Sequence, residues 1–128
     1  MRKIAEFILE AGMLKRTARS GWWIVGIKSP ESVADHSFRA AIIGYILARM
    51  ENADAGKVVN MCLFHDMPEA RITDMNKVTR RYIEADAAEL KALREQASKL
   101  GDMGNEIYGL IEELHENGHR HQKSGRMG

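Results

Sequence analysis

The residues of this chain best suited to chemistry are His36 and the adjacent pair His65-Asp66, with Glu69 and Asp74 following closely. Imidazole nitrogen and carboxylate oxygen suit divalent Mn, Fe, Co, Ni or Zn, and two antiparallel helices can bring such donors to one point. Successive residues on a helix differ by about 100° in direction, so His65 and Asp66 can share an ion only beside a helix end or in an interhelical groove. Pro68 supplies that end, because its ring clashes with the carbonyl four residues earlier and it has no N–H to donate. Each residue also has a plain structural reading. His36 fits a buried histidine bonded to a backbone carbonyl, His65 an imidazole on the dipole of a helix C-terminus, and Glu69 and Asp74 solvated charges. Their joint occurrence is what points to a shared metal site.

The elements that must position these residues read as helices. Only two prolines interrupt the chain, and its apolar residues recur at three-and-four spacing, so the predicted class is all-α. Ile4, Phe7, Ile8 and Ala11 mark a first helix, and Ser29-Pro30-Glu31 signals the start of a second that runs to about Met50. Its inward stripe is read through Val33, His36, Ala40, Ile43 and Leu47. Asp54 is expected to cap a helix carrying Val58, Met61, Cys62 and His65. After a polar stretch through Arg81, Leu90, Leu93, Ala97 and Leu100 mark a helix stopped by Gly101. Ile107, Leu110, Ile111 and Leu114 mark another, stopped near Gly118. Between the first two helices, Gly21-Trp22-Trp23-Ile24-Val25-Gly26-Ile27 reads as an irregular or extended loop and a candidate pocket wall. From His115 onward Met127 is the single large apolar residue beside three glycines and three histidines. That composition predicts a flexible tail over 118–128 behind a domain spanning 1–117. Asp86 and Asp102 read as solvated charges.

Composition narrows the classes. A chain of 128 residues with 45% apolar content has room for one core and one domain. Its net charge of +1, from 19 basic and 18 acidic residues, offers no excess for a nucleic acid polymer or an anionic membrane. No apolar run approaches the roughly 20 residues that span a bilayer. Cys62 has no disulfide partner in the sequence, and the N-terminus lacks a secretory pattern, so a soluble protein of the reducing cytoplasm is expected.

Taken in order, several blocks form a recognisable series: Leu14-Lys15, Arg19-Ser20-Gly21-Trp22, Pro30-Glu31-Ser32-Val33-Ala34-Asp35-His36-Ser37, His65-Asp66-Met67-Pro68-Glu69-Ala70 and Thr73-Asp74. From about Leu14 to Asn117 the chain resembles the HD-domain phosphohydrolases, and within them the 5'-deoxynucleotidase-like group. The resemblance implies an HD-domain helical bundle that removes the 5'-phosphate of deoxyribonucleoside monophosphates. It also implies that His36, His65 and Asp66 ligate one catalytic divalent cation, with Co, Mn, Mg, Zn and Fe all open. Glu69 matches a proton-transfer glutamate, and Asp74 an aspartate that approaches the sugar or leaving oxygen. Arg19 matches an arginine on the phosphate and Trp22 a loop aromatic near the nucleotide; without the resemblance they read as a solvated loop charge and as loop packing. The implied partners are a small-molecule nucleotide and, in a homo-oligomer, a second copy, because relatives form dimers.

One part of the pattern is absent. The family carries a fourth metal ligand, an aspartate on a later helix near a Lys-x-x-Asp-x-x-Glu segment. Here the match runs through Ile111-Glu112-Glu113-Leu114-His115-Glu116-Asn117 and gives way to His119-Arg120-His121 and polar residues. The expectation is a C-terminally truncated bundle whose reading frame is altered after about Asn117, with weaker metal binding and impaired activity. The loss also raises a second function, a non-catalytic nucleotide-binding or interaction module derived from such an enzyme. His119 and His121 read as an adventitious surface binder, not as replacement ligands.

Overall fold

The computed structural model describes residues 1–18, 31–75 and 77–127, with Lys77 and residues 119–127 described as backbone alone. Helix α1 (Arg2–Gly12) runs into a 3-10 turn, Met13–Arg16. Helices α2 (Val33–Met50) and α3 (Ala55–His65) follow, then two short helices, α4 (Glu69–Ile72) and α5 (Lys77–Arg80). Helix α6 (Ala85–Ala97) continues as a 3-10 turn, Ser98–Leu100, before α7 (Asp102–Met127). The predicted all-α class is what is found: beyond helices and turns, the described residues show an isolated bridge between Ala18 and Ser32. None of the described helices is long and apolar enough to cross a membrane.

The start of α2 differs from the predicted one. Ser29 lies outside the described residues, and Ser32 caps the helix. Its hydroxyl accepts from the Asp35 N–H at 3.0 Å while its own N–H donates to the Asp35 carboxylate at 3.3 Å. This reciprocal capping box needs an acidic side chain three residues on, which Ser32 has and Ser29 lacks. Asp54 caps α3 as expected, its carboxylate accepting from the Lys57 N–H at 3.1 Å.

The inward stripe of α2 is also displaced, by about one residue. Val33, Ser37, Ala41 and Ala48 are buried, whereas Ile43 and Leu47 are 50% and 54% exposed. Helices α2 and α3 pack too closely for large side chains at their seam. A Cβ on Gly44 would stand 2.9 Å from Val58 Cγ1 and 3.1 Å from Cys62 Sγ. Small residues therefore face α3, and His36 sits at the border of the seam and not among core residues.

The core gathers Phe7, Leu14, Val33, Met67, Leu93 and Ile111 from separate parts of the chain. Met67 belongs to the corner between α3 and α4, so that corner is seated directly on the core. Gln96, fully buried, donates from Nε2 to the Met67 carbonyl at 3.0 Å and to Glu10 Oε2 at 2.7 Å. Arg71 grips both Glu10 oxygens at 2.7 and 3.1 Å and reaches Glu95 Oε2 at 3.1 Å. The Arg71 hydrogen bonds hold the Glu10 carboxyl below its ordinary value against the opposing effect of burial, with Gln96 adding to the lowering. Helices α1, α4 and α6 thus meet at the corner that follows His65-Asp66.

Helix α7 turns back at Gly101, as predicted, and lies along α6. A Cβ on Gly104 would stand 1.9 Å from the Ala97 carbonyl oxygen, so only glycine allows this approach. The predicted stop near Gly118 does not occur, because the backbone stays helical to Met127. An isolated glycine costs about 1 kcal/mol in a helix and does not end one, while the surrounding Glu, Arg, Gln and Lys favour helix. The break expected at 118 is a change of composition and not of backbone. Accordingly His115, grouped by composition with the tail, is a helical residue one turn beyond Ile111, with a side chain 10% exposed. The loop read over residues 20–28 lies outside the described residues.

Two substitutions test this scaffold. Gln96→Leu keeps volume but leaves the Met67 carbonyl and one Glu10 oxygen short of a donor, and should lower the urea unfolding free energy by about 1–3 kcal/mol. Gly104→Ala should cost about 1–3 kcal/mol or more by forcing α6 and α7 apart.

Candidate metal centre

Helix α3 ends on His65, and Asp66 follows as its C-cap with φ −95° and ψ 5°. The Glu69 N–H donates to the Asp66 carbonyl at 2.9 Å and the Met67 N–H to Phe64 at 3.2 Å, closing the turn that Pro68 requires. Leaving the helix at this point frees Asp66 from the 100° divergence that would separate two neighbouring side chains within it. Its carboxylate, 12% exposed, lies between two imidazoles. His65 Nδ1 is 2.9 Å from Oδ1, and His36 Nε2, brought across by the α2–α3 hairpin, is 3.9 Å from Oδ2.

Burial would push the Asp66 carboxyl up, but it is outweighed. The hydrogen bond and charge of His65, the charge of His36 and a hydrogen bond from Glu69 together lower its pKa. His65 moves the other way: its hydrogen bond to Asp66 raises its pKa against burial, helped by the charges of Asp66 and Glu89. Glu69, the first residue of α4, is pushed up to about 9 by burial first, then by the charges of Asp66, Asp74 and Glu89. At neutral pH it is a protonated carboxyl hydrogen-bonded to an ionised one. Two imidazole nitrogens and a carboxylate held ionised are a donor set of the right kind for a divalent cation.

Asp74 follows Thr73, whose backbone takes φ 60° and ψ 177°. This region is nearly reserved for glycine and costs a β-branched residue about 1–3 kcal/mol. The Thr73 N–H donates to the Glu69 carbonyl at 2.9 Å, so the strained turn is tied to α4 and returns Asp74 towards Glu69. The structure therefore brings His36, His65, Asp66, Glu69 and Asp74 into one electrostatic neighbourhood. Arg19 and Trp22 lie outside the described residues.

Sequence reasoning missed the other side of this neighbourhood. A cavity of about 280 Å³ is lined by His65 and Glu69 together with Arg80, Asp86, Glu89 and His115. Among the described residues, the group whose donor atoms all lie within 4.8 Å of one another is Asp86, Glu89 and His115. Asp86 was expected to be a solvated charge; its side chain is 46% exposed, yet it forms one edge of this group. Glu89, 11% exposed, accepts from Arg80 Nη2 at 2.7 Å. A signal existed: Ala85, Glu89 and Leu93 are spaced four apart on the buried face of α6, as Ile107, Ile111 and His115 are on α7. Ionisable residues in register with a core stripe carry more information than their polarity suggests.

Comparison with known proteins places the chain in a family. Residues 11–125 match the HD domain family. The chain is 34% identical over 124 residues to the 5'-deoxynucleotidase HDDC2 of Dictyostelium discoideum, covering 88% of this chain and 64% of that protein. It therefore spans just under two thirds of that curated relative's length. The crystal structure of the PH0347 protein from Pyrococcus horikoshii OT3 matches with a TM-score of 0.75 and 36% identity, over 88% of this chain and 64% of that one. The crystal structure of genomics APC5600 matches with a TM-score of 0.71 and 42% identity, over 88% and 69%.

The position of Glu69 generates a pH prediction for the metal-free protein. The folded chain holds the Glu69 proton to about pH 9, whereas the unfolded chain releases it near 4.5, so between these values the folded state binds more protons. Its contribution to stability is therefore present at low pH and is lost as pH rises through that window. Urea midpoints measured across it should fall with pH, and Glu69→Gln, permanently neutral, should flatten the slope.

Proposed function

Because the chain belongs to the HD domain family, we propose that it is a metal-dependent phosphohydrolase that removes the 5'-phosphate of deoxyribonucleoside monophosphates. The observation that carries this reading is the Asp66 carboxylate flanked by His36 and His65, with the Glu69 carboxyl, pushed up to about 9 by burial and acidic neighbours, beside it. The name of the Dictyostelium relative, a 5'-deoxynucleotidase, supports the substrate class.

In this reading His36, His65 and Asp66 hold the cation. A divalent cation held there would supply Lewis-acid chemistry at the phosphate and would lower the pKa of water. The remaining work falls to the protein's own groups. Asp66 stays ionised and so serves as a charged ligand. Glu69, whose carboxyl lies beside the ligands, is the group that moves a proton during phosphate release. Asp74, carried by the strained Thr73 turn, faces the sugar side of the ester. Arg19 offers two parallel guanidinium hydrogen bonds to the phosphate, and Trp22 a flat apolar surface to the nucleotide. The alternation of one ionised and one neutral carboxyl supports distinct ligand and proton-transfer roles for neighbouring acids.

A second copy of the chain is the proposed partner, supported by the exposed apolar side chains of Phe38, Ile42, Tyr45, Ile46 and Leu63 that form one concave face on α2 and α3. A cytoplasmic location is proposed, supported by the free thiol of Cys62.

Phosphate release from deoxyribonucleoside and ribonucleoside 5'-monophosphates in the presence of Co or Mn tests the reading. Turnover should favour the deoxy series, vanish in His65→Ala, and fall by about 10²–10⁴ in Glu69→Gln. Equal turnover by His65→Ala would remove the proposed ligand set. Nucleotide binding without turnover in the unaltered chain would replace the enzyme with a binding module.

A further inference from the structure

Arg80, the last residue of α5, ties the turn that carries Asp74 to the buried face of α6. Its guanidinium donates in two places: Nε to the Met75 carbonyl at 3.2 Å and Nη2 to Glu89 Oε1 at 2.7 Å. Glu89 lies on α6 in line with buried Ala85 and Leu93, so the guanidinium is anchored to the packed side of that helix. Burial opposes its charge, but the hydrogen bond to Glu89 and the charges of Glu89, Asp86 and Asp74 outweigh burial and raise its pKa. The Asp74 charge acts on both Arg80 and Glu69, which places its carboxylate near each of them.

The turn needs such a tie. Thr73, at φ 60° and ψ 177°, is in a conformation that persists only where the surroundings hold it. On one side of Asp74 the Thr73 N–H is fastened to the Glu69 carbonyl at 2.9 Å. On the other side the Met75 carbonyl is fastened to Arg80. The flanking helices α4 and α5 have four residues each, far too few to hold a shape by their own hydrogen bonds. Rigidity on the Met75 side therefore comes from α6, and Arg80 transmits it.

We propose that Arg80 is a positioning residue that fixes the Asp74 carboxylate against the sugar of the substrate and so sets the preference for deoxyribose over ribose. The inference rests on the hydrolase reading, in which Asp74 faces the sugar side of the ester. The two sugars differ by one hydroxyl, and a carboxylate excludes that hydroxyl only while it is held in place. A displacement of about 1 Å in a positioning group is worth up to about 10²-fold. Releasing Met75 lets the turn relax, and Asp74 then gives way to the 2'-hydroxyl. A cation that touched the phosphate would instead help both sugars alike, so sugar preference separates the two roles.

The test compares the unaltered chain with Arg80→Met, which removes both donors. Phosphate release from deoxyadenosine and adenosine 5'-monophosphate is measured with Co²⁺, together with amide hydrogen exchange over residues 73–75. In Arg80→Met the deoxy-over-ribo ratio of kcat/KM should fall by about tenfold or more. Exchange over 73–75 should quicken by about tenfold while that of α1 stays unchanged, the mark of a local release. Where Arg80→Met fails to fold, Arg80→Lys keeps the charge but lacks the planar fork, and should shift the ratio the same way by less. The proposal is overturned if the ratio is unchanged, or if turnover of both nucleotides falls in equal proportion. If the unaltered chain hydrolyses neither nucleotide, the hydrolase reading fails by itself. The ratio of dissociation constants for the same two nucleotides, from equilibrium dialysis, then decides the role of Arg80, and equal binding of both by the unaltered chain overturns it.

Discussion

The structure depends on a turn that must occur immediately after His65. Two neighbouring side chains can work together where a helix ends between them, and Pro68 forces that end. The turn then carries the Met67 carbonyl into the interior, where an unpaired acceptor would be costly. Gln96 supplies the donor and also binds Glu10, and Arg71 matches the Glu10 charge. One constraint at the site therefore reaches α1, α4 and α6, and half-exposed histidines inherit the rigidity of a core that includes Met67.

Electrostatically, the site crowds acidic groups and lets their environments separate their roles. Asp66 has two imidazoles beside it and stays ionised, whereas Glu69 has burial and three acidic neighbours and keeps its proton. Arg80 offsets part of the remaining negative charge through Glu89, and its own guanidinium is tied to the Met75 carbonyl at 3.2 Å. A cavity with this surplus of carboxylates attracts cations.

Close helix approach does the positioning. At Gly44 the α2–α3 seam admits no side chain, which sets the distance from His36 to the Asp66 carboxylate. At Gly104 the α6–α7 contact leaves no room beside the Ala97 carbonyl, and this fixes where His115 meets Glu89. Both helix pairs are held close by glycines that contribute no functional group.

Some of this was legible in the residues themselves. The helical class, the Asp54 cap, the break at Pro68 and the Gly101 turn follow from local backbone chemistry. The ordered blocks around His36 and His65-Asp66 likewise carried the family resemblance. What the sequence could not decide concerned which face meets which neighbour. Periodicity placed Ile43 and Leu47 inside because it weighs hydrophobicity, whereas the α2–α3 seam selects for smallness. Composition assigned His115 to a tail because helix propensity persists after apolar residues run out. Asp86 read as a solvated charge, and Glu89 drew no reading at all, until α7 was laid against them. A sequence by itself carries the signals that start and stop helices, as at Asp54 and Gly101, since they lie within a few residues of each other, although periodicity and composition misread them at Ser29 and Gly118. Only the tertiary structure decides which ionisable groups share a cavity, because that depends on distances between helices far apart in the chain.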